Sequence, residues 1–598
     1  MIKNIKSIHY KEAPPGRTIE HLKKILLKGG IVLNEEWYQE STAGTFSVRV
    51  TLPGTTIGTN GKGVSEDYAL ASAYAEFLER YQNRMLGLKN RDRFYKIGYY
   101  NVHDEKYMSI RDILSCKNAF MQYLFTRLKL GRYPENERIE KFSSLFRPRI
   151  NESAETMVVY PFYNVNEDKE DYLPISIALP FYGSNGMSAG NTPCEALVQA
   201  FSEIFERYVQ KEVISRQLSL PDVPKEYLKK YYFLYSVYSK INSIKGYRML
   251  IKDCSFGGMY PVVAIVIINL NTGKYGIHFG SHPDFEIALE RAFTEAAQGQ
   301  DILDFSSNCE IDFYNKKIFN KSNYYNIYDV ARGKYPHEFF SACTTLKFCA
   351  CTRFLDNNNE DMLQKITNAL IKDGYNILIR DCSTLGFPSY HVIIPGMSEL
   401  TDYSELDAKI YNTRIRVREL LKNPLNINQE NVRQIEFILR YFIEYYAYTS
   451  LESIFGLTCD SQVASGKIGI IYILMLCAIY RCDIKACLNY SGILLNNYSY
   501  EETDRFFIRA ISDYYKGLDA GLSMDSVLRC IHIMYDEFIV KRVEELILNK
   551  TTLFERYIHV KELDDSQYLK FAEYLDRQEL ELNLHQLDLR RLFQCIDR

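Results

Sequence analysis

Three stretches of the chain carry acidic or amide side chains at the same helical spacing. Counted from the pairs Ala69-Leu70, Ala196-Leu197 and Ala288-Leu289, each stretch has a glutamate seven residues after its alanine and another polar residue three positions later. These residues are Glu76 with Glu79, Glu203 with Glu206, and Glu295 with Gln298. Side chains three or four positions apart share one face of a helix, so each stretch predicts a helix with a polar stripe. One such stripe is typical of a solvated helix, but three copies indicate an internally duplicated domain.

The acidic stripes predict a site for a divalent cation. If the three helices are equivalent, their acidic ends converge, and like charges at short range are costly unless a cation neutralises them. Carboxylate and amide oxygens suit Mg²⁺, which commonly completes its coordination with water and nucleotide phosphates. The chain has no Gly-x-x-x-x-Gly-Lys-Ser/Thr motif, so a P-loop is not how it would hold phosphate. Neutral or positive groups for a polyphosphate are available at Asn191, Gln199, Arg207 and Arg291.

Each helix has a residue suited to begin it. Ser65, Thr192 and Asp284 have N-cap side chains, and Thr192 with Glu195 forms a Thr-x-x-Glu capping box. Before the first helix, the stretch Thr59 to Ser65 reads as a loop with glycines on either side of Lys62. Such a loop could receive an anion at a helix start, or could be a plain turn.

The first 405 residues predict an α+β domain with helices packed on a mainly antiparallel sheet. Strand patterns occur at 45–50, 156–163, 173–182, 346–354 and 375–380, and 260–270 with 275–279 predicts a hairpin turning at 271–273. Strand, loop and helix recur around the three stripes, which favours this fold class. Residues 105–150 are helical and partly basic in pattern, and we interpret them as an insertion.

From residue 406 to 598 the pattern predicts a second, all-helical domain. Helical periodicity appears at 436–454, 467–477, 484–496, 500–515 and 525–548. Paired helices of this kind resemble a helical-repeat scaffold, although no repeat consensus is legible. We expect this domain to bind a partner or form a homodimer, or else to buttress the first domain.

Bulk properties favour a cytoplasmic protein without a membrane or nucleic-acid partner. The 598 residues carry a net charge of −3, and sequence-blind nucleic-acid binding would need a basic excess. The start of the sequence has no apolar signal core, and the apolar run Ile468 to Tyr480 is too short to span a bilayer. The fourteen cysteines contain no Cys-x-x-Cys pair, so reduced structural thiols are expected.

Three single residues have both a chemical and a structural interpretation. Cys194 lies in the first turn of the central helix, where a thiol pKa can fall, or it simply fills the helix. His391 and His282 could serve as an acid or base, but one histidine beside a strand is more often a structural residue.

Together these motifs resemble the YcaO superfamily over about the first 400 residues. The motifs that match are Asn60-Gly61-Lys62-Gly63 with Ser72, Glu76 and Glu79; Ser188 to Thr192 with Glu195, Gln199, Glu203, Glu206 and Arg207; His282 to Phe285 with Arg291, Glu295 and Gln298; and Pro395-Gly396-Met397. The helical tail more weakly resembles that of the stand-alone enterobacterial type.

The resemblance implies an ATP- and Mg-dependent, kinase-like activation of a peptide backbone amide. In that chemistry a nucleophile adds to the amide carbonyl, and phosphorylation of the oxyanion lets phosphate leave. It implies that Glu76, Glu79, Glu203 and Glu206 coordinate Mg²⁺. Contacts to nucleotide or metal are implied for Lys62, Ser72, Asn191, Glu195, Gln199, Arg207, Arg291 and Glu295. It identifies no separate catalytic residue.

Two departures from the superfamily pattern narrow the expected function. Azoline-forming members often end in a Pro-x-Pro-x-Pro tail, whereas this sequence ends Phe593-Gln594-Cys595-Ile596-Asp597-Arg598, and no fused peptide-clamping domain is visible. Both favour the stand-alone type, which resembles an accessory factor for β-methylthiolation of a small-subunit ribosomal protein. Its partners would be that ribosomal protein or a peptide, and a methylthiotransferase. The alternatives are a non-catalytic scaffold for a modification enzyme, and a thioamide- or azoline-forming enzyme.

Overall fold

The computed structural model describes most of the chain, in two compact units. The described residues are 10–401 apart from 56, 87–101, 103 and 146–155, and 404–593 apart from 446–449, 456, 460–465, 498–501, 559, 563–572, 576 and 579–586. The first unit comprises Met1–Leu88, Arg93–Tyr403 and Ser566–Arg598, and the second comprises Lys89–Asp92 and Ser404–Asp565. The prediction that the start of the sequence has no apolar signal core concerns Met1 to Lys6. These residues lie outside the described residues.

The first unit begins with a three-stranded antiparallel sheet covered by helices. Its elements are α1 (Pro15–Lys28), β1 (Asn34–Trp37), β2 (Phe46–Thr51), β3 (Gly58–Gly63) and α2 (Glu66–Gln82), with the strands in the order β1-β2-β3. Both helices bury apolar residues with this sheet, among them Leu22, Val48 and Phe77. The loop predicted from Thr59 to Ser65 is wrong over most of its length, because residues up to Gly63 belong to β3.

The glycines misread as loop residues permit close packing of a helix on a strand. A Cβ at Gly61 would lie 2.0 Å from the carbonyl oxygen of Ala69 on α2, and one at Gly63 would lie 2.6 Å from the Ala69 nitrogen. Any side chain here would therefore collide with the helix backbone. The Gly-Lys-Gly sequence consequently presents Lys62 from a strand held tightly beneath α2.

The middle of the first unit contains the longest helix and most of a six-stranded sheet. Its elements are β4 (Lys106–Ser109), α3 (Ile110–Ser115), α4 (Ala119–Arg127), α5 (Glu135–Leu145), β5 (Thr156–Asn164), β6 (Lys169–Pro174), α6 (Ile175–Tyr182), β7 (Met187–Ala189) and α7 (Pro193–Ser215). The segment interpreted as a helical insertion thus begins with a strand, which pairs with β5. The strand predicted at 173–182 ends at Pro174 and continues as α6, because a continuous apolar run does not distinguish a buried strand from a buried helix.

A four-stranded antiparallel sheet follows, covered by α10. Its region contains α8 (Lys225–Leu228), α9 (Tyr232–Ser243), β8 (Tyr247–Asp253), β9 (Val262–Asn269), β10 (Lys274–Ser281), α10 (Phe285–Ala296), β11 (Cys309–Glu310) and α11 (Lys321–Val330), and the strand order is β11-β10-β9-β8. The predicted β9–β10 hairpin is confirmed, with Asn269 opposite Lys274 and Gly273 in the left-handed region at φ +69°.

The last elements before residue 402 complete the six-stranded sheet. They are α12 (Asn359–Lys372), β12 (Leu378–Asp381) and β13 (Ser389–Ile393), and the sheet order is β4-β5-β12-β13-β7 with β6 paired to β5. Every named strand pair is antiparallel, which confirms the predicted fold class. Residues 346–354 do not form the predicted strand; the backbone N–H of Cys349, for example, donates to the Asp253 side chain at 2.9 Å rather than to a neighbouring strand.

The second unit is helical apart from a two-stranded ribbon. Its elements are α13 (Glu405–Lys422), α14 (Val432–Tyr445), α15 (Leu451–Phe455), β14 (Leu457–Cys459), α16 (Gly466–Arg481), α17 (Ile484–Asn497), α18 (Glu502–Asp519), α19 (Met524–Met534), α20 (Glu537–Leu548), α21 (Leu553–Tyr557) and β15 (Val560–Glu562). The helix predicted at 525–548 is two helices, α19 and α20. A helical-repeat arrangement and a homodimer stay predictions, as do the domain bounds.

The apolar run noted in the sequence forms the core of this second unit. Every residue from Ile470 to Ile479 on α16 is buried, in one cluster with residues of α14, α17 and α18. Of the helices in the described part of the chain, none combines the length and apolar character needed to cross a bilayer. The final helix, α22 (Leu587–Leu592), returns to the first unit, where Arg590 Nε donates to Asp168 Oδ1 at 3.0 Å.

Candidate functional site

The three helices that carry the polar stripes begin with the predicted caps. Ser65 Oγ accepts from Tyr68 N at 3.3 Å, and Thr192 Oγ1 accepts from Glu195 N at 3.2 Å. Asp284 Oδ1 accepts from Glu286 N at 2.8 Å. These bonds fix the starts of α2, α7 and α10 and therefore the phase of each stripe.

Glu295 on α10 is surrounded by positively charged and titratable side chains. Its carboxylate lies 3.3 Å from Lys62 Nζ, 3.5 Å from His278 Nε2 and 3.9 Å from Arg291 Nη2. Arg291 also donates to the amide oxygen of Gln199 on α7. Burial opposes ionisation of Glu295, but Lys62, His278 and Arg291 outweigh it and hold the pKa of this carboxyl below its ordinary value. Although burial lowers the pKa of Lys62, Glu295 and Glu76 raise it overall.

The acidic pair on α2 shares a single arginine. Arg80 lies 3.2 Å from Glu79 Oε1 and 3.8 Å from Glu76 Oε1. Glu79 Oε1 is nevertheless buried without a hydrogen-bond partner among the described residues. Burial, together with the charges of Glu76 and Glu203, raises the pKa of Glu79 to about 8 despite Arg80. This carboxylate is therefore under-neutralised by the protein alone.

The acidic pair on α7 is also under-neutralised. Burial raises the pKa of Glu203 despite the opposing charges of Arg207 and Arg80. Burial and the charge of Glu295 raise the pKa of Glu206. One ligand atom from each of Glu206, His278 and Glu295 falls within 4.8 Å of the others, close enough to hold a single cation.

These contacts link all three helices in one cluster. The charge of Glu203 acts on Glu79 of α2, and the charge of Glu295 acts on Glu203. Burial without a full set of neutralising partners is costly for carboxylates, and a bound divalent cation removes that cost. The Glu79 oxygen that lacks a hydrogen bond and the raised pKa values therefore fit the predicted Mg²⁺. Arg291, whose buried Nε has no partner among the described residues, fits an anionic ligand beside it.

Asn191 and Glu195 form a separate cluster at the start of α7. Glu195 accepts from Asn191 Nδ2 at 3.1 Å, from Lys11 Nζ at 3.2 Å and from the backbone N–H of Glu12 at 2.9 Å. Asn191 in turn accepts from Thr18 Oγ1 at 2.8 Å. The Glu195 carboxylate is thus engaged by the amino-terminal segment and does not complete the predicted capping box. Eight residues of helix separate it from Glu203, about 12 Å, so only an extended ligand would reach both.

Several residues of the site were not predicted from the sequence. His278 on β10 reaches Glu295, and the ring of Tyr328 on α11 lies under Arg207, with the guanidinium carbon 5.3 Å from the ring centroid. Neither has a spacing that relates it to the stripes. Arg80, by contrast, does follow a pattern, because Glu76 to Tyr81 and Glu203 to Tyr208 share the sequence Glu-x-x-Glu-Arg-Tyr. Ser72, which was predicted to contact the ligand, lies half-buried on α2 one turn before Glu76.

The pKa shifts favour the structural interpretation of the three residues with two interpretations. Burial raises the pKa of Cys194 to about 11, which favours its interpretation as a helix filler over that of a thiol with a lowered pKa. Burial lowers the pKa of His391 to about 3 and also lowers that of His282, whose Nδ1 accepts from Asp284 N at 3.0 Å. All twelve cysteines recorded for the described residues are free, as expected for reduced thiols.

Glu79 gives the ligand-free protein a testable pH dependence. Its folded-state pKa lies above the unfolded value, so its contribution to stability is complete below about pH 4.5 and is lost as the pH rises through about 8. In EDTA, we expect the melting temperature of the wild type to fall relative to Glu79→Gln as the pH rises from 5 to 8. Mg²⁺ should reduce this difference because it favours the ionised carboxylate. A constant difference across the pH series would contradict the assignment.

Comparisons with known proteins identify the family of the chain. A model of the family described as "YcaO cyclodehydratase, ATP- and Mg2+-binding" matches residues 60–398. An uncharacterized protein of Haemophilus influenzae is 29% identical over 371 residues, 60% of this chain and 61% of that protein. The ribosomal protein S12 methylthiotransferase accessory factor YcaO of Escherichia coli is 28% identical over 354 residues, 58% of each chain.

The chain therefore spans about three fifths of the length of these curated relatives. Among solved structures, YcaO from Methanopyrus kandleri bound with AMPPCP and Mg²⁺ is similar, with 16% identity, a TM-score of 0.38, and coverage of 65% of this chain and 92% of that one. ATP and Mg²⁺, the predicted ligands, are those that the family description names. The matched segment is more than half of the chain, and the protein belongs to the YcaO family.

Proposed function

We propose that the acidic cluster binds Mg-ATP and that the chain activates a peptide backbone amide by phosphorylation. The observation that carries this proposal is the convergence of three acidic stripes around under-neutralised carboxylates, one of which, that of Glu79, has a buried oxygen without a hydrogen bond. Bound Mg-ATP would supply the phosphoryl group that makes the amide oxygen leave as phosphate. Glu76, Glu79, Glu203 and Glu206 would hold the metal.

The cations of the cluster would position the phosphates. Lys62 and Arg291 flank Glu295, and Gln199 accepts a hydrogen bond from Arg291 and so fixes its orientation. Arg207, seated on Tyr328, faces Glu203 and Glu206. Fixed cations around a buried anionic ligand lower the cost of charge that develops during phosphoryl transfer. Asn191 and Glu195 would contact a more distant part of the nucleotide.

Glu203→Gln tests the nucleotide site. Because this change removes one metal-binding carboxylate, we expect the affinity for Mg-AMPPCP to fall by roughly tenfold or more. Isothermal titration calorimetry measures this affinity for Mg-AMPPCP. Glu212→Gln is the matched control, since Glu212 lies on the same helix and pairs with Arg216 at 3.7 Å, both outside the cluster. Unchanged nucleotide affinity in Glu203→Gln would contradict the proposed site.

The role in the cell is a separate part of the proposal. We propose that the activated amide supports β-methylthiolation of a small-subunit ribosomal protein by a partner methylthiotransferase, as the name of the Escherichia coli relative suggests. Mass spectrometry of ribosomal proteins from cells with and without this chain tests it. Glu203→Gln is the variant expected to bind nucleotide more weakly. If it restores the modification as well as the wild type does, the chain acts as a scaffold.

A further inference from the structure

A cavity that is separate from the acidic cluster lies in the first unit, between the β10–β11 edge and α11. Its volume is about 350 Å³, within the range of small-molecule sites. The lining includes four cationic residues, Lys274, Lys317, Arg332 and Lys334, and one carboxylate, that of Glu310. None of the predicted site residues contributes to it. The lining is therefore strongly positive and distinct from the acidic cluster.

Most of this positive charge is not neutralised by the protein. Lys274 lies 3.7 Å from Glu310, but Lys317, Arg332 and Lys334 have no ion-pair partner within 4 Å in the part of the chain that the structure describes. The nearby carboxylate of Asp312 accepts from the backbone N–H groups of Lys317, at 3.0 Å, and Tyr314, at 3.2 Å. The charge of Asp312 also acts on Lys317 and Lys334, but from beyond ion-pair distance, so these cations and Arg332 remain able to pair with a ligand.

Two amide groups in the lining have unmet hydrogen-bonding capacity. Asn308 Nδ2 and Asn326 Oδ1 are buried, and neither has a partner among the described residues. Buried polar atoms without partners are rare and costly, and they commonly mark a position filled by a ligand or ordered water. The free N–H donor of Asn308 beside several cations suits an oxyanion.

The cavity wall is held in place by α11. Asn323 Oδ1 accepts from Lys334 N at 2.6 Å, and Asn323 Nδ2 donates to Lys334 O at 2.7 Å, so the segment carrying Arg332 and Lys334 is fastened to the helix. The first turn of α11 also lines the cavity, and the positive end of a helix dipole favours anions. The same helix carries Tyr328, the residue under Arg207.

We propose that this cavity binds a small anionic ligand bearing phosphate or carboxylate oxygens. Arg332, Lys334 and Lys317 would pair with its charge, and Asn308 would donate to one of its oxygens. The site is separate from the proposed nucleotide site and does not depend on it. Its position on α11 places a bound anion on the same helix that supports Arg207.

Calorimetry on the full chain tests this proposal with inorganic phosphate, pyrophosphate and citrate, each without Mg²⁺. We expect one equivalent of at least one of these anions to bind. The double variant R332Q/K334Q should bind it at least roughly tenfold more weakly, because two charge-assisted contacts are lost. Binding of the phosphates alone, or of citrate alone, would identify which oxyanion the cavity takes.

Three further variants separate a ligand site from general electrostatics. Lys316→Gln removes a cation that packs on the Tyr314 ring outside the cavity, and Arg291→Gln removes one from the acidic cluster; both should retain binding. Asn308→Ala should weaken binding without lowering the melting temperature, because its donor has no protein partner to lose. The proposal is overturned if no anion binds the wild type, or if Lys316→Gln or Arg291→Gln weakens binding as much as R332Q/K334Q.

Discussion

Gly280→Ala is expected to destabilise the first unit by at least ~3 kcal/mol, because the new methyl group would overlap backbone that cannot move independently. A Cβ at Gly280 would lie 2.1 Å from the carbonyl oxygen of Ala288 and 2.8 Å from the nitrogen of Ala292. Both atoms belong to α10, so relief requires the whole helix to move away from β10. The same movement would displace Arg291 and Glu295 from the acidic cluster.

Thermal and urea unfolding of the variant would measure this effect. Gly131→Ala is the matched control, since a Cβ there meets no atom within 4 Å and Gly131 is not among the glycines with positive φ. We expect the control to unfold like the wild type. Wild-type stability in Gly280→Ala would mean that α10 does not pack on β10 as closely as described, and the position of Glu295 would then need revision.

The repeated helices could be predicted from the sequence because residues close together along the chain determine where each helix begins and which of its faces is polar. Spacing of three and four residues, together with caps at Ser65, Thr192 and Asp284, specifies a helix and its polar face without knowledge of the fold. The glycines preceding the helices could not be interpreted in this way. Gly61 is required by the approach of α2, a contact between elements that no turn pattern encodes, so the sequence suggested a loop where β3 lies.

The cluster itself was only partly predictable. Triplication of the stripe indicated that the carboxylates converge, but some of the groups that partly neutralise them come from other elements and follow no period. Lys62 reaches Glu295 from β3, and His278 reaches it from β10. Such partners are selected by tertiary packing, and they determine which carboxylates ionise readily and which do not.

Two glutamates on α10, Glu295 and Glu290, are expected to change the stability of the protein in opposite directions when each is replaced by glutamine. Glu295→Gln is expected to destabilise the ligand-free protein by about 3 kcal/mol at pH 8, because it leaves Lys62 and Arg291 without their shared counter-charge. Glu290→Gln, five residues earlier on α10, is expected to raise stability at that pH. Burial, together with the charge of Glu286, raises the pKa of Glu290 to about 7, so its ionised form is disfavoured in the folded state.

The two substitutions should change the free energy of unfolding in opposite directions, and the size of each change should depend on pH. Glu295 has a lowered pKa, so its contribution to stability is present above the unfolded value of about 4.5 and is lost as the pH falls through the folded one. Glu290 has a raised pKa, so its contribution is present below about 4.5 and is lost as the pH rises through about 7. Unfolding in EDTA between pH 5 and 8 should therefore show Glu295→Gln less stable than the wild type by a nearly constant amount, whereas Glu290→Gln should gain stability over the wild type as the pH rises. Wild-type stability of Glu295→Gln across this range would mean that Glu295 is not the residue on which the cations of the cluster converge.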